Sequence, residues 1–383
     1  MSDFWKSFER FANSLKVDSI SLGVARLGFR SDAFNSSAYS QILKIAARNT
    51  NATQDVFVIT AHNIDEVYTI DEIKSDHECA SDTYTISPGG SGANTAYALG
   101  RMGWRTEVSG VLGKDEFGEV IKNSLLEANV RSVLIRELPE HISGRTSTIV
   151  EDSGRRLIVV RPGANDHFHT HFRQDELLSR ALTSVVFHSS SFVSQNSRLL
   201  QVNLLSLLKD KVLTSLTPGA LYANDGLDRI EPLIRNVNII FLYREQLQSL
   251  IEKSSAKTSL KGDDTQSLLS TYFLWKENIG FSTPQVILVK DPLQVNNGML
   301  AQGFLCAGAG CTTLENFIPP RPFERKVRYQ ARDTTGAGDA SAAGMIHGIL
   351  RGLPLAEAVD AAFFMAAMAS TQIGARTAFR PTD

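Results

Sequence analysis

The stretch Arg332 to Gly344, reading Arg-Asp-Thr-Thr-Gly-Ala-Gly-Asp-Ala-Ser-Ala-Ala-Gly, holds the residues best suited to chemistry. Gly336 and Gly338 bracket Ala337 and let the backbone turn tightly, and the alanine-rich run that follows to Leu350 reads as a helix. Consecutive N–H groups from Gly336 to Asp339 then project from a helix N-terminus, where unpaired donors and the positive end of the helix dipole favour a phosphate or a developing oxyanion. A carboxylate at Asp339, in the first turn beside such a hole, is placed to take a proton from a hydroxyl while the amides steady a transferred phosphoryl group. Spacing alone leaves a plainer alternative, a capping carboxylate after an ordinary glycine turn.

A second glycine cluster, Pro88-Gly89-Gly90-Ser91-Gly92-Ala93-Asn94-Thr95, follows a strand pattern and opens a small-residue helix that runs through Leu99 and Gly100. It is not a dinucleotide fingerprint, because Thr95 stands where the third glycine belongs, and it lacks the Gly-Lys-Ser/Thr of a phosphate-binding Walker loop. An oxidoreductase reading is therefore weak. Close approach of a ligand to backbone at Gly90, with Asn94 offering a donor and an acceptor to hydroxyls, is what this pattern permits. Asp65 follows the apolar run Val56-Phe57-Val58-Ile59-Thr60, and an acidic side chain past the carboxyl end of a parallel strand sits at the usual ligand crevice of an open α/β sheet.

The elements that must position these groups are legible to different degrees. Residues 1–54 form an N-terminal helical extension: Phe4, Trp5, Phe8, Phe11 and Leu15 fall at helical spacing, and a second helix runs from Tyr39 to Ala47. Residues 55–383 form the main domain. Alternating runs at 67–70, 82–86, 146–150 and 156–160 predict a small sheet projecting from it as a lid, its strands drawn from about 66–88 and 145–162. Val185 to His188, Val237 to Leu242 and Val286 to Lys290 read as further buried parallel strands with helices between them, which makes the expected fold an α/β doubly wound, mostly parallel sheet with helices on both faces. Residues 255–283 read as a surface insertion.

Composition limits the function classes. A net charge of −2 from 39 basic and 41 acidic residues gives no electrostatic case for nucleic acid or an anionic membrane. The three cysteines, Cys79, Cys306 and Cys311, lack Cys-x-x-Cys spacing and fit a reducing compartment. No apolar run reaches the ~18 residues that span a bilayer, so a cytoplasmic protein is expected.

Taken together, Asp333 to Ala340 and Gly89 to Gly103 closely resemble the two signatures of the ribokinase-like (PfkB) family of carbohydrate and nucleoside kinases. The resemblance covers roughly Asp55 to Arg376. It implies an ATP-dependent phosphotransferase acting on a hydroxyl, most simply a primary one, of a small sugar or nucleoside. It assigns the base to Asp339, phosphate contacts to Gly336, Ala337 and Gly338, nucleotide contacts to Thr334, Gly336 and Gly338, and acceptor contacts to Asp65, Gly90 and Asn94. ATP and Mg²⁺ are the implied cofactors, with a monovalent cation optional, and a homodimer through the lid is the implied assembly. Three departures stand out. Where the family has a glycine before the acceptor-binding Asp, this chain has Thr60; where ribokinases proper carry a ribose-binding Glu after the lid turn, it has Arg155. Where the family has Asn-x-x-Glu to organise magnesium, it has Tyr243-Arg244-Glu245-Gln246, which leaves Glu245, one residue out of register, as the candidate for that role. The alternative class is a catalytically weakened ligand-binding or regulatory protein on the same fold.

Overall fold

The protein was analysed as a computed structural model, which describes residues 37–380 except 50, 75, 77, 82, 152–155, 282, 296–297, 309–320 and 330. The aromatic helix expected near the N-terminus and Arg155 lie outside the described residues.

The strands of the main sheet are β1 (Gln54–Ile59), β4 (Thr106–Gly113), β5 (Arg131–Leu138), β8 (Ser184–Ser190), β9 (Leu213–Thr217), β10 (Ile239–Tyr243), β11 (Gln285–Lys290), β12 (Leu293–Val295), β13 (Gly298–Gly308) and β14 (Arg321–Tyr329). They are ordered β12-β13-β11-β10-β9-β8-β1-β4-β5, with β14 also paired to β13. The central strands, β1, β8, β9, β10 and β11, are short runs that are almost wholly buried. From β11 through to β5 every neighbouring pair is parallel, and β13 closes the sheet antiparallel to β11. Side chains of successive residues point to opposite faces, so Val56 and Val58 of β1 feed one core while Phe57 and Ile59 feed the other. The first core holds the helices α1 (Ser37–Arg48), α2 (Ser91–Arg101), α3 (Glu116–Glu127), α11 (Ala337–Leu350) and α12 (Leu355–Ser370). The second holds α4 (Phe168–His171), α5 (Gln174–Leu182), α6 (Gln195–Leu208), α7 (Gly219–Ala223), α8 (Leu227–Ile234), α9 (Arg244–Glu252) and α10 (Thr265–Asn278).

The helix at the N-terminal side of β1 belongs to the body, with Ala38, Tyr39, Ile42 and Ile45 buried and the Tyr39 hydroxyl donating to Leu353 O at 2.8 Å. The stretch 255–283 is no surface insertion. It contains α10, whose Leu268, Leu269 and Tyr272 are buried in the second core, and it is the crossover that returns the chain from β10 to β11.

A separate four-stranded sheet has the order β3-β2-β6-β7, formed by β2 (Asn63–Ile70), β3 (Thr83–Gly89), β6 (Gly144–Glu151) and β7 (Arg156–Arg161). Its strands leave the main sheet in two excursions, after β1 and after β5. Strand order in the main sheet reverses at the β1/β8 boundary, and open α/β sheets leave a crevice at the carboxyl ends of strands there. Thr60, just past β1, hydrogen-bonds Ser190 at the end of β8, Oγ to Oγ, at 2.9 Å.

Candidate active site

The loop before α11 is shaped by one aspartate and one glycine. Asp333 accepts from Thr335 N at 2.8 Å and from Gly374 N at 2.9 Å, tying the loop to the turn after α12. Gly336 caps α11 in the left-handed region at φ 76°, and a β-carbon there would lie 2.5 Å from that of Ala375, so both conformation and space demand glycine. The helix then points the amides of Gly338 and Asp339 away from its own backbone acceptors. The Ala337 amide, also expected to meet phosphate, donates to Thr334 O at 3.2 Å and closes the turn.

Asp339 is buried, and both of its carboxylate oxygens are held by α2. Ser91 Oγ donates to Oδ1 at 2.6 Å and Asn94 Nδ2 to Oδ2 at 2.9 Å, while Thr95 Oγ1 donates to the Asp339 carbonyl at 3.2 Å. Two helix N-termini thus converge on one carboxylate. Burial pushes its pKa up, and the bonds from Ser91 and Asn94 together with the charges of Lys290 and Arg376 pull it back down. Behind Asn94 lies Arg376, whose side chain is 2% exposed and donates to Asn94 Oδ1 at 2.9 Å, Ser124 Oγ at 3.0 Å and Gly89 O at 3.0 Å. Nothing local in the sequence marks Ser91, Arg376 or Lys290 as members of this site.

The cleft in front of Asp339 has a volume of about 200 Å³ and runs from the small sheet to the carboxyl ends of β9, β10 and β11. That is below the about 300–1,000 Å³ of drug-sized pockets. One face of the small sheet forms its roof: Asp65 pairs with Thr146 and Val67 with Thr148, which in turn pairs with Ile158, and all five side chains line the cleft. The opposite wall is Thr217, Gly219, Phe241, Tyr243, Gln246 and Lys290, and the floor is Thr334, Thr335, Gly336, Gly338 and Asp339.

The residues expected to contact an acceptor therefore divide. Asp65 lines the cleft, though from inside β2 and not from a loop past β1. Burial pushes its carboxyl up to about 7, against the pull of Arg376 and with Asp339 adding to the rise. Gly90 and Asn94 are absent from the lining. Gly90, at φ 96°, packs so closely on Ala61 that a β-carbon would come within 2.3 Å of its carbonyl oxygen. Asn94 has its amide committed to Asp339 and Arg376, so it steadies the carboxylate where a substrate contact was expected. Thr334 lies on the floor of the cleft. Glu245 points away, exposed on α9, whereas Gln246 lines the cleft and its Oε1 accepts from Tyr243 N at 3.0 Å. The position of the family's acid thus holds an amide that caps α9. Among the described residues no group of three His, Cys, Asp or Glu side chains gathers to hold a metal, and no helix is long and apolar enough to cross a membrane.

Similarity to known proteins agrees with this geometry. An uncharacterised sugar kinase of Archaeoglobus fulgidus is 24% identical over 279 residues, 73% of this chain and 96% of that protein. The ribokinase of Cryptococcus neoformans in complex with ADP superposes with a TM-score of 0.67 at 20% identity, covering 86% of this chain and 97% of its own. The Arabidopsis thaliana ribokinase complexed with ribose and ATP gives 0.62 at 19%, covering 86% and 96%. These structural likenesses establish the ribokinase-like fold. The carboxylate, the glycine-rich helix start and the second glycine cluster that meets them all fall within residues 53–270 and 310–383, which match the model of the pfkB carbohydrate kinases, and the chain belongs to that family.

Proposed function

We propose that the protein transfers the terminal phosphoryl group of ATP to a hydroxyl of a small sugar or nucleoside, with Asp339 as general base. The observation that carries this reading is the buried Asp339 carboxylate, fixed by Ser91 and Asn94 at a helix N-terminus and facing a cleft roofed by a second sheet. The acceptor would lie under that roof with Asp65 on its hydroxyls. A primary hydroxyl, which projects from a sugar ring, reaches most easily toward a recessed base. Asp339 takes the proton, the acceptor oxygen attacks the terminal phosphorus, the bond from that phosphorus to its bridging oxygen breaks, and ADP leaves with a phosphate ester as the other product. The Gly338 and Asp339 amides face the charge that develops on the moving group.

With no three-ligand cage among the described residues, Mg²⁺ would be carried mainly by triphosphate oxygens and water, as this reluctantly dehydrated ion is in other kinases, and would supply charge neutralisation. We further propose that two copies meet through the outer face of the small sheet, where Tyr84, Ile86, Leu157 and Val159 are exposed.

Asp339→Asn tests the base. It keeps the hydrogen-bonding shape and removes the proton acceptor, so the melting temperature and acceptor affinity should stay near wild type while kcat falls roughly a hundredfold or more. Turnover at the wild-type rate would remove Asp339 from the role.

A further inference from the structure

Resting on the kinase reading above, the geometry points to Lys290 as a second grip on the terminal phosphoryl group, acting from the wall of the cleft that faces the start of α11. Lys290 is the last residue of β11, paired in register with Tyr243, the last residue of β10, so the two side chains leave neighbouring parallel strands together at their carboxyl ends. Its side chain is 5% exposed, lines the cleft, and holds Nζ 3.9 Å from the centre of the Tyr243 ring. An ammonium over an aromatic face is held without being neutralised. Among the described residues Nζ makes no hydrogen bond or ion pair, and it is not one of the fully enclosed polar atoms, so it opens onto the cleft.

The position of Nζ relative to the helix start is what gives it a ligand. A β-carbon added to Gly338 would lie 2.8 Å from Nζ and 3.2 Å from Tyr243 Cε2, so the ammonium sits directly against the N-terminus of α11. The N-terminus of a long helix and a cation without a side-chain partner thus meet side by side on the cleft, and an oxyanion held in front of the two would be in reach of both. Burial lowers the lysine's pKa to about 7 and Asp339 pulls it back up, so an arriving anion also secures the proton on Nζ. During transfer Lys290 keeps that proton: the bond to the bridging oxygen breaks, the bond to the acceptor oxygen forms, and Nζ neutralises charge on the non-bridging oxygens. Gln246, which stands where the resemblance expects a metal-organising Glu, lines the same cleft.

The test separates Lys290 from the general kinase reading. Calorimetry on the full chain with Mg²⁺ would measure the affinity of ADP and of the non-hydrolysable β,γ-imido analogue of ATP for wild type, Lys290→Met, Lys290→Gln and Lys290→Arg. Melting curves would confirm that each variant is folded, with the two neutral variants serving as mutual controls. Wild type should prefer the imido analogue to ADP; Met and Gln should lose at least tenfold of that preference with ADP affinity nearly unchanged, and Arg should retain most of it. In turnover the neutral variants should lose kcat with the KM for the acceptor unchanged. A neutral variant with the wild-type preference, or a wild type with no preference, overturns the role of Lys290 and leaves the kinase reading standing. A wild type that binds neither nucleotide overturns both.

Discussion

At the scale of residues, the cleft holds two carboxylates whose surroundings differ. Burial raises both; at Asp339 two side-chain donors and two nearby cations pull back against it, whereas at Asp65 the pull of Arg376 and Thr146 is opposed by Asp339 as well, and burial raises it from 3.8 to about 7. A raised folded-state pKa means that the stability contributed by the protonated form is fully present below about 4 and is lost as pH rises through about 7. Asp65→Asn removes that loss. The variant should match wild type in melting temperature near pH 4 and become progressively more stable than wild type up to about pH 7, while acceptor binding weakens at every pH; a melting difference that does not change with pH would contradict the burial of Asp65. Asp339 could be found in the sequence because its neighbours in the chain are also its neighbours in function. Arg376 could not, since it reaches Asn94 from 282 positions away, and no local pattern predicts which distant helix start an arginine will meet. Lys290 was visible only as the end of a strand.

At the scale of elements, the packing of α2 on the end of β1 accounts for one of the chain's departures. Thr60 stands where a glycine was expected, and the space is recovered at Gly92, where a β-carbon would lie 2.7 Å from Thr60 Cβ. Gly92→Ala should therefore destabilise by about 1–2 kcal/mol in urea unfolding, the overpacking outweighing the gain in helix propensity of up to about 1 kcal/mol. Adding Thr60→Gly should relieve the clash, and if the double variant is no more stable than Gly92→Ala alone, the two positions are not exchanging volume. Helix α10 shows where sequence patterning runs out. Its buried residues include Thr271 and Lys276 as well as Leu268, Leu269 and Tyr272, so no single apolar stripe marks its inner face. Lys276 is accommodated because its Nζ donates to Thr283 O at 2.9 Å. The charged residues just before α10 made the whole stretch look like surface.

At the scale of the whole molecule, strand order could not be read from periodicity, which reports that strands exist and says nothing about their neighbours; the resemblance to a family supplied the expectation. What the assembled fold adds is a small sheet that is half roof and half open surface. The alternation that turns Asp65, Val67, Thr146, Thr148 and Ile158 toward the cleft turns Leu157 and Val159 the other way, and Tyr84 and Ile86 of β3 share that outer face from the opposite edge of the sheet. Leu157 is 49% exposed and Val159 54%, a concentration of apolar surface that isolated folded chains seldom leave open. A two-fold interface would cover it with its own copy. Light scattering should therefore find wild type as a dimer, and Leu157→Glu with Val159→Glu should yield a folded monomer, since both side chains point away from the core. Because the same strands carry Ile158 and, through β6, Thr146 and Thr148 into the cleft, loss of the partner should also loosen the roof. The double variant should bind the acceptor several-fold more weakly, with nucleotide affinity unchanged because Thr334 to Asp339 and Lys290 lie on the main domain. A monomeric wild type would remove the interface, and a monomeric variant with unaltered acceptor affinity would show that the roof holds its shape without a partner.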